Sequence, residues 1–141
     1  MDTRCAQIFS ARLIKAGAVE GEALVSLVPI GFLGGVDGET GRVTERGHPL
    51  EGMCVAGKIL VFPTGKGSTV GSYILYQLAV NGVAPAAIIN AESEPIVAVG
   101  AIISGIPMVD RVPIERIQMG DRVRVEGERV TVWRSHTAAG S

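Results

Sequence analysis

The middle of the chain, residues 57–109, alternates short apolar runs with segments of helical periodicity. "GKILVFP" (57–63) and "APAAIIN" (84–90) are continuous apolar runs typical of strands buried on both faces. Apolar residues spaced by three and four predict a helix from Val70 to the Asn81-Gly82 stop. A second helix follows Pro95, and "PMV" (107–109) predicts a last strand. This order predicts a parallel βαβαβ sheet with right-handed crossovers.

Details of these helices and of the chain ends complete the predicted fold. The second helix is apolar all round, which predicts burial on both sides. The ends predict an antiparallel sheet: two strands in 5–14 and 21–27 with turns at Gly17 and Gly21, and a hairpin in 120–133 that turns at Gly127 and has one wet face. We expect one α/β domain over residues 1–133, in which helices and a small parallel sheet join an antiparallel sheet, and a disordered tail over 134–141.

Composition excludes several classes of function. A net charge of −1 without a basic face argues against nucleic acid as a partner. The longest apolar region, 95–109, has only 15 residues and is interrupted by Ser104, Gly105 and Pro107, so no membrane span is predicted. The N-terminus lacks the apolar centre of a signal peptide, which with reduced cysteines predicts a cytoplasmic location. Only 19% of residues are charged and mean hydropathy is +0.35, which favours a buried partner surface.

The segment "FPTGKGSTVGSY" (62–73) resembles a phosphate-binding loop but fails its pattern. A nucleotide P-loop needs Gly, four residues, then Gly-Lys-Ser/Thr, whereas Leu60 stands at the first Gly position and Gly67 follows Lys66. A strand that ends at Pro63 and a helix that begins near Ser68 nevertheless favour an anion, and Lys66 adds positive charge. Ser68 or Thr69 could simply cap the helix, or Ser68 could present its hydroxyl at the carboxyl end of the strand.

Four segments together show a resemblance to a known family. "GGVDGETGRV" (34–43), "HPLEG" (48–52), "GKILVFPTGKGSTVGSY" (57–73) and "NGVAPAAIINAESEPIVAVGAIISGIPMVD" (81–110) closely resemble the stand-alone small subunits of the aconitase X group. The resemblance implies a swivelling β/β/α three-layer domain that closes over substrate. It also implies that Ser68 is the proton acceptor of a hydro-lyase that converts (R)-5-phosphomevalonate to trans-anhydromevalonate 5-phosphate in an archaeal mevalonate route to isoprenoids.

The implied enzyme needs a second polypeptide. An aconitase-type iron-sulfur cluster takes three cysteine ligands, and this sequence has only Cys5 and Cys54 in unrelated contexts. We therefore expect a cluster-bearing large subunit and a phosphorylated hydroxy-acid substrate. Two alternatives stay open: the small subunit of a cis-3-hydroxy-L-proline dehydratase, or a non-catalytic module that binds phosphate.

Several further residues are candidates for the site. Lys66, Gly67 and Thr69 surround Ser68 in sequence and are predicted to bind substrate. The glycine-rich segment 29–52 has no periodic pattern and could be either a functional loop or a mobile surface loop. It contains Arg42, whose guanidinium suits a carboxylate or phosphate. The remaining residues rank lower: Asn90, Glu92 and Ser93 as second-rank candidates, Arg46 as a solvated loop charge, His48 as a turn or packing residue, and Cys54 as a small buried apolar residue.

Overall fold

A computed structural model describes residues 6–67 and 69–134 of the chain. Within these ranges the chain forms strands and two α-helices, with a short 3-10 helix at Ile114–Arg116. Their bounds are β1 (Ala6–Ser10), β2 (Arg12–Lys15), β3 (Ala18–Val25), β4 (Ile59–Phe62), α1 (Gly71–Val80), β5 (Ala87–Asn90), α2 (Pro95–Ser104), β6 (Met108–Asp110), β7 (Arg122–Glu126) and β8 (Arg129–Trp133).

The predicted parallel sheet is confirmed. Strand β4 pairs in parallel with β3 on one side and β5 on the other, and β5 pairs in parallel with β6. Strand β2 closes this part of the sheet as an antiparallel neighbour of β6. All residues of β4, β5 and β6 are buried, which explains why these strands read as continuous apolar runs.

The chain ends form the predicted antiparallel sheet, but with a different division of strands. Strand β3 bends from one sheet to the other: Ala18–Glu22 pair with β7, and Ala23–Val25 pair with β4. The first third therefore holds three strands, and the turn predicted at Gly21 is wrong. Gly21 lies inside β3 and pairs with Val123 of β7. Glycine suits this position because the backbone at Gly57 passes close by: a Cβ on Gly21 would lie 3.3 Å from the Gly57 carbonyl oxygen.

Alternate residues of β4 divide the core into two layers. Leu60 and Phe62 face the layer of α1 and α2, whereas Ile59 and Val61 face the antiparallel hairpin. The hairpin strands contribute Val123, Val125, Val130 and Val132 to this second layer. The arrangement is the three-layer β/β/α architecture that the resemblance implied, with one wet face on the hairpin.

Helix α2 departs from the prediction that it is buried on both sides. Its buried residues are Val97, Gly100 and Ala101, whereas Val99, Ile102 and Ile103 are 49 to 58% exposed. Helix α1 covers only one side of α2, at the close approach of Gly100 to Leu75, where a Cβ would lie 2.7 Å from Leu75 Cδ1. The apolar pattern shows that all faces of α2 are apolar, but it could not show which of these faces are covered by other parts of this chain.

The glycine-rich segment 29–52 is an ordered part of the fold. Its apolar side chains enter the helix-side core, and Phe32 packs edge-to-face on Phe62 with ring centroids 6.1 Å apart. Short backbone bridges join Ile30 to Gly65, Val36 to Val43, and Arg42 to Cys54. The segment is therefore fixed against the carboxyl end of β4 instead of forming a mobile surface loop.

Candidate functional site at the carboxyl edge of the parallel sheet

The turn from β4 into α1 is held in place by the glycine-rich segment. We call residues 63–67 and 69–70 the β4–α1 corner. The backbone amide of Lys66 donates to the Ile30 carbonyl at 3.0 Å, and the Ile30 amide donates to the Thr64 carbonyl at 3.3 Å. Because these bonds run in parallel-sheet fashion, the backbone of Lys66 has a defined position at the carboxyl edge of the sheet.

Gly67 and Thr69 complete the described part of this corner. Gly67 has φ +95°, a backbone conformation that a side chain would strain. Thr69 is exposed, and its carbonyl accepts a hydrogen bond from the Ser72 amide at 3.3 Å where α1 begins. The N-cap position of α1 is Val70, which gives no side-chain cap, so Thr69 is not the N-cap residue. Ser68, the predicted base, lies outside the described residues.

The Lys66 side chain carries the positive charge of the corner. Its ammonium lies 3.0 Å from Glu45 Oε2, and the two side chains are 47% and 31% exposed. Gly31 permits this approach, since a Cβ there would lie 3.1 Å from the Lys66 carbonyl oxygen and 3.3 Å from its Cγ. The glycine-rich segment therefore supplies both the counter-charge of Lys66 and the space for its backbone.

The turn from β5 into α2 lies directly beside this corner. The amides of Ala91 and Glu92 both donate to the Pro63 carbonyl at 3.1 Å. Glu94 is the N-cap of α2 and accepts from the Ile96 and Val97 amides, each at 2.8 Å. A Cβ on Gly65 would lie 2.4 Å from Glu94 Oε1, so the two turns are in contact.

At the end of β6 the structure shows an ion pair that the sequence did not predict. Arg12 holds the buried carboxylate of Asp110 through Nε at 2.9 Å and Nη2 at 2.6 Å, and the Ser93 amide donates to the same carboxylate at 2.9 Å. Burial alone would raise the pKa of Asp110, but the hydrogen bonds from Arg12 and Ser93 outweigh it and lower this pKa to about 2. Asp110 therefore stays ionised at neutral pH and ties together β2, β6 and the β5–α2 turn.

Arg111 follows Asp110 and was also missed by sequence reasoning. Its amide donates to the Ala91 carbonyl at 3.0 Å, and its side chain is 60% exposed. An arginine directly after the last parallel strand was the available signal, because ligands of open α/β sheets bind at the carboxyl ends of strands.

The structure places Arg42 away from Lys66. The Arg42 guanidinium donates to the Gly52 carbonyl at 2.9 Å, and its neighbour Gly41 packs against Val83 beyond the C-terminal end of α1. Lys66 precedes the other end of this ten-residue helix, whose length is about 15 Å. The predicted contact of Arg42 with substrate stays a prediction, and in this structure Arg42 stabilises the glycine-rich segment.

The lower-ranked candidates have mixed positions. His48 is buried, with Nε2 3.2 Å from the Pro29 carbonyl oxygen and Nδ1 accepting from the Leu50 amide, as expected of a packing residue. Arg46 is exposed. The predicted burial of Cys54 is wrong: it lies in a surface bridge with Arg42 and its thiol is exposed, 3.4 Å from the Thr40 carbonyl oxygen.

Asn90, Glu92 and Ser93 lie on the expected edge of the sheet. Asn90 is fully buried, and its amide nitrogen donates to the Phe62 carbonyl at 3.0 Å. Ser93 uses its backbone to hold Asp110, and Glu92 is exposed between Arg12 and Arg111. The edge thus combines Lys66, Gly67 and Arg111 with a rigid set of backbone contacts.

Residues 6–67 and 69–134 contain no group of three His, Cys, Asp or Glu side chains that could hold a metal ion. In the same ranges no helix is long and apolar enough to cross a membrane.

The fold and this edge define an α/β domain of the swivelling type with a cationic corner at the carboxyl ends of its parallel strands. Residues 8–133 match the family model described as the aconitase X swivel domain, and the chain belongs to this family. The chain is also similar to the crystal structure of Thermococcus kodakaraensis aconitase X in its holo-form, with a TM-score of 0.89 and 52% identity over 91% of this chain and 99% of that one.

Two curated relatives are similar to this chain over most of their length. The protein named phosphomevalonate dehydratase small subunit from Methanocella arvoryzae is 63% identical over 117 residues, which cover 81% of this chain and 89% of the relative. The protein of the same name from Methanosarcina acetivorans is 60% identical over 119 residues, with 82% and 83% covered.

Proposed function

We propose that this chain is the small subunit of a heteromeric hydro-lyase that dehydrates (R)-5-phosphomevalonate to trans-anhydromevalonate 5-phosphate. The observation that carries the proposal is the β4–α1 corner, where an exposed Lys66 ammonium and the left-handed backbone of Gly67 directly precede Ser68 in the chain. The names of relatives at 60 to 63% identity support this substrate. A cytoplasmic location stays a prediction.

The role of this chain in the reaction is proton transfer and anion binding. Dehydration removes a proton from the carbon beside the carboxylate and hydroxide from the next carbon, and a double bond forms between them. The iron-sulfur cluster that we expect on the large subunit would supply the Lewis acid for the departing hydroxide. We assign the proton to the Ser68 hydroxyl oxygen as general base. Lys66, two positions before Ser68 in the chain, carries a positive charge that lowers the free energy of the basic form of the Ser68 hydroxyl. Gly67 and Thr69 shape the backbone around the substrate anion.

The Lys66–Glu45 ion pair sets a condition on this role. With Glu45 at 3.0 Å the ammonium already has a counter-charge, so an incoming carboxylate must share or replace it. Both side chains are partly exposed, and such pairs contribute roughly 0 to 1 kcal/mol, so the exchange costs little. The pair therefore positions Lys66 without preventing it from binding substrate.

The described residues do not fit an iron-sulfur cluster. Cys54 is the one cysteine among them, and its thiol contacts a backbone carbonyl away from the β4–α1 corner. We therefore place the cluster of the proposed enzyme on the large subunit. The low charge of the chain and the exposed apolar residues Val99, Ile102 and Ile103 of α2 support such a partner.

A Ser68→Ala variant tests the assignment. In the complex reconstituted with the large subunit, we expect kcat for dehydration to fall about 10²- to 10⁴-fold, with subunit association measured by sedimentation unchanged. Ser10→Ala, at an exposed position of β1, is the matched control and should keep full activity. Wild-type turnover by the Ser68→Ala complex would refute the role of Ser68 as base.

The two alternatives have separate tests. The wild-type complex should turn over (R)-5-phosphomevalonate and not cis-3-hydroxy-L-proline, because only the former has a phosphate for a cationic site. If the chain were a non-catalytic phosphate module, the isolated chain would bind inorganic phosphate in an NMR titration and the complex would show no dehydration.

A further inference from the structure

Arg111 has an unusual backbone conformation at the carboxyl end of β6. Its φ is +62°, and it is the one non-glycine residue with positive φ in residues 6–67 and 69–134. A left-handed conformation is unfavourable for a non-glycine residue because its Cβ approaches the backbone, and glycine would avoid this cost. Such strain persists where surrounding contacts determine it, and it is concentrated at functional sites.

The neighbours of Arg111 fix its backbone on both sides. Asp110 is fully buried and is held by Arg12 and by the Ser93 amide. Val112 is 2% exposed, and the Arg111 amide itself donates to the Ala91 carbonyl. The conformation is therefore determined by contacts of the backbone and the adjacent residues, while the Arg111 side chain extends into solvent.

The Arg111 guanidinium has donors available for a ligand. Its described ion-pair partner is Glu92, at 4.0 Å between Nε and Oε1, and the Glu92 carboxylate also lies 3.6 Å from Arg12. By contrast, Arg12 makes two hydrogen bonds of 2.9 and 2.6 Å to Asp110. A planar guanidinium held this loosely can bind a phosphate or carboxylate through two parallel hydrogen bonds.

The strand register places Arg111 on the same edge as the β4–α1 corner. Phe62 pairs with Asn90, and the pairing of Ile89 with Val109 continues to bring Asn90 level with Asp110. Strands β4 and β6 flank β5, so their ends lie about 10 Å apart. The Lys66 amide donates to the Ile30 carbonyl on the side of β4 that faces β3. The carboxyl ends of β4 and β5 therefore lie between Lys66 and Arg111.

We propose that Arg111 binds the phosphate of a substrate whose carboxylate lies at the β4–α1 corner. This inference rests on the proposed function, because the base removes a proton beside the carboxylate and so fixes which end of the substrate is near Ser68. The other end of the five-carbon substrate carries the phosphate, and it extends across β5 toward Arg111. Arg111 is thus a residue that selects for phosphorylated substrate.

The test uses the reconstituted complex with Arg111→Gln, Arg111→Lys and Arg111→Gly. The Gln variant should raise KM for (R)-5-phosphomevalonate about 10- to 100-fold, the effect of losing charged hydrogen bonds, with a smaller change in kcat. Lys, which keeps the charge without the planar fork, should give an intermediate KM. Gly removes both the strain and the charge, so it should match Gln in KM while the chain is at least as stable as wild type.

Arg116→Gln is the matched control, since Arg116 is also exposed but lies in the 3-10 helix five positions later. It should leave KM unchanged. Subunit association is measured for every variant. If Arg111 contacts the large subunit instead of substrate, its substitution would weaken association and leave KM unchanged at a saturating concentration of the large subunit. That result, or a wild-type KM in Arg111→Gln, would overturn the proposal.

Calorimetric binding of (R)-5-phosphomevalonate to the complex separates this inference from the proposed function. Absence of dehydration by the wild-type complex would refute the proposed function, and binding would then still report on Arg111. Weaker binding in Arg111→Gln but not in Arg116→Gln supports the phosphate contact. Equal binding in both variants refutes it, whether or not the wild-type complex is active.

Discussion

The contact of Gly65 with the N-cap of α2 leads to a quantitative prediction for Gly65→Ala. Gly65 is buried, and an added Cβ would lie 2.4 Å from Glu94 Oε1 and 2.5 Å from Val97 Cγ2. Glu94 cannot retreat without giving up its hydrogen bonds to the Ile96 and Val97 amides, both at 2.8 Å. One methyl group therefore disturbs both the cap and the packing of α2.

The expected destabilisation is the sum of two effects. Loss of an N-cap costs about 0.5 to 2 kcal/mol, and insertion of a methyl group into a packed site costs about 1 to 3 kcal/mol. Partial relaxation of Val97 reduces the second effect, so we expect the free energy of unfolding to fall by about 2 to 4 kcal/mol. For a domain of this size the midpoint of thermal unfolding should fall by roughly 10 °C.

Urea unfolding followed by circular dichroism tests this estimate in a double-mutant cycle with Glu94→Ala. Once the Glu94 carboxylate is gone, Gly65→Ala should cost about 1 kcal/mol less than in wild type, because the cap has already been lost. Gly71→Ala is the control glycine substitution, since its Cβ would lie 3.4 Å from Ile96 Cγ2, an ordinary contact. A cost of Gly65→Ala below 0.5 kcal/mol, or full additivity with Glu94→Ala, would refute this reasoning.

Further predictions concern the ion pairs and the close approach at the same edge. The pKa of Asp110 is lowered to about 2 in the folded state, so ionisation of this carboxyl should contribute about 2 kcal/mol to the free energy of unfolding above pH 4. This contribution is lost as the pH falls toward 2. The difference in free energy of unfolding between wild type and Asp110→Asn should therefore narrow between pH 4 and pH 2 in urea titrations. A difference that is constant with pH would contradict the pairing of Asp110 with Arg12. Gly31→Ala should displace the Lys66 backbone, and a chemical shift of the Lys66 amide unchanged from wild type would contradict this. Glu45→Gln removes the counter-charge of Lys66 and should tighten substrate binding to the complex a few-fold, an effect that Glu51→Gln should not reproduce.

Much of the fold could be predicted from local sequence pattern. Strands β4 and β5 read as apolar runs because both of their faces are covered, and the hairpin of β7 and β8 alternates because only one of its faces is. The stop at Asn81-Gly82 and the start at Pro95 follow from backbone preferences of those residues alone. The exposure of one face of α2 could not be predicted in this way, since an apolar side chain does not identify what covers it.

For the candidate site, too, local sequence predicted some residues, and only the tertiary structure showed the others. Sequence alone predicted Lys66, Gly67 and Ser68 as site residues, because glycines beside a lysine after a buried strand form a local pattern. It also determined the family, through runs of residues that resemble one group along most of the chain. These are properties of residues close together in the chain, for which the backbone and its nearest neighbours decide the outcome.

Only the tertiary structure decided which distant residues meet along this edge of the sheet. Arg12 reaches Asp110 across 98 positions because β2 returns to pair with β6, and Glu45 reaches Lys66 because the glycine-rich segment packs along the end of β4. The left-handed backbone of Arg111 likewise follows from contacts made on either side of it. Strand register and loop packing set these positions, and they depend on the whole core instead of on local sequence.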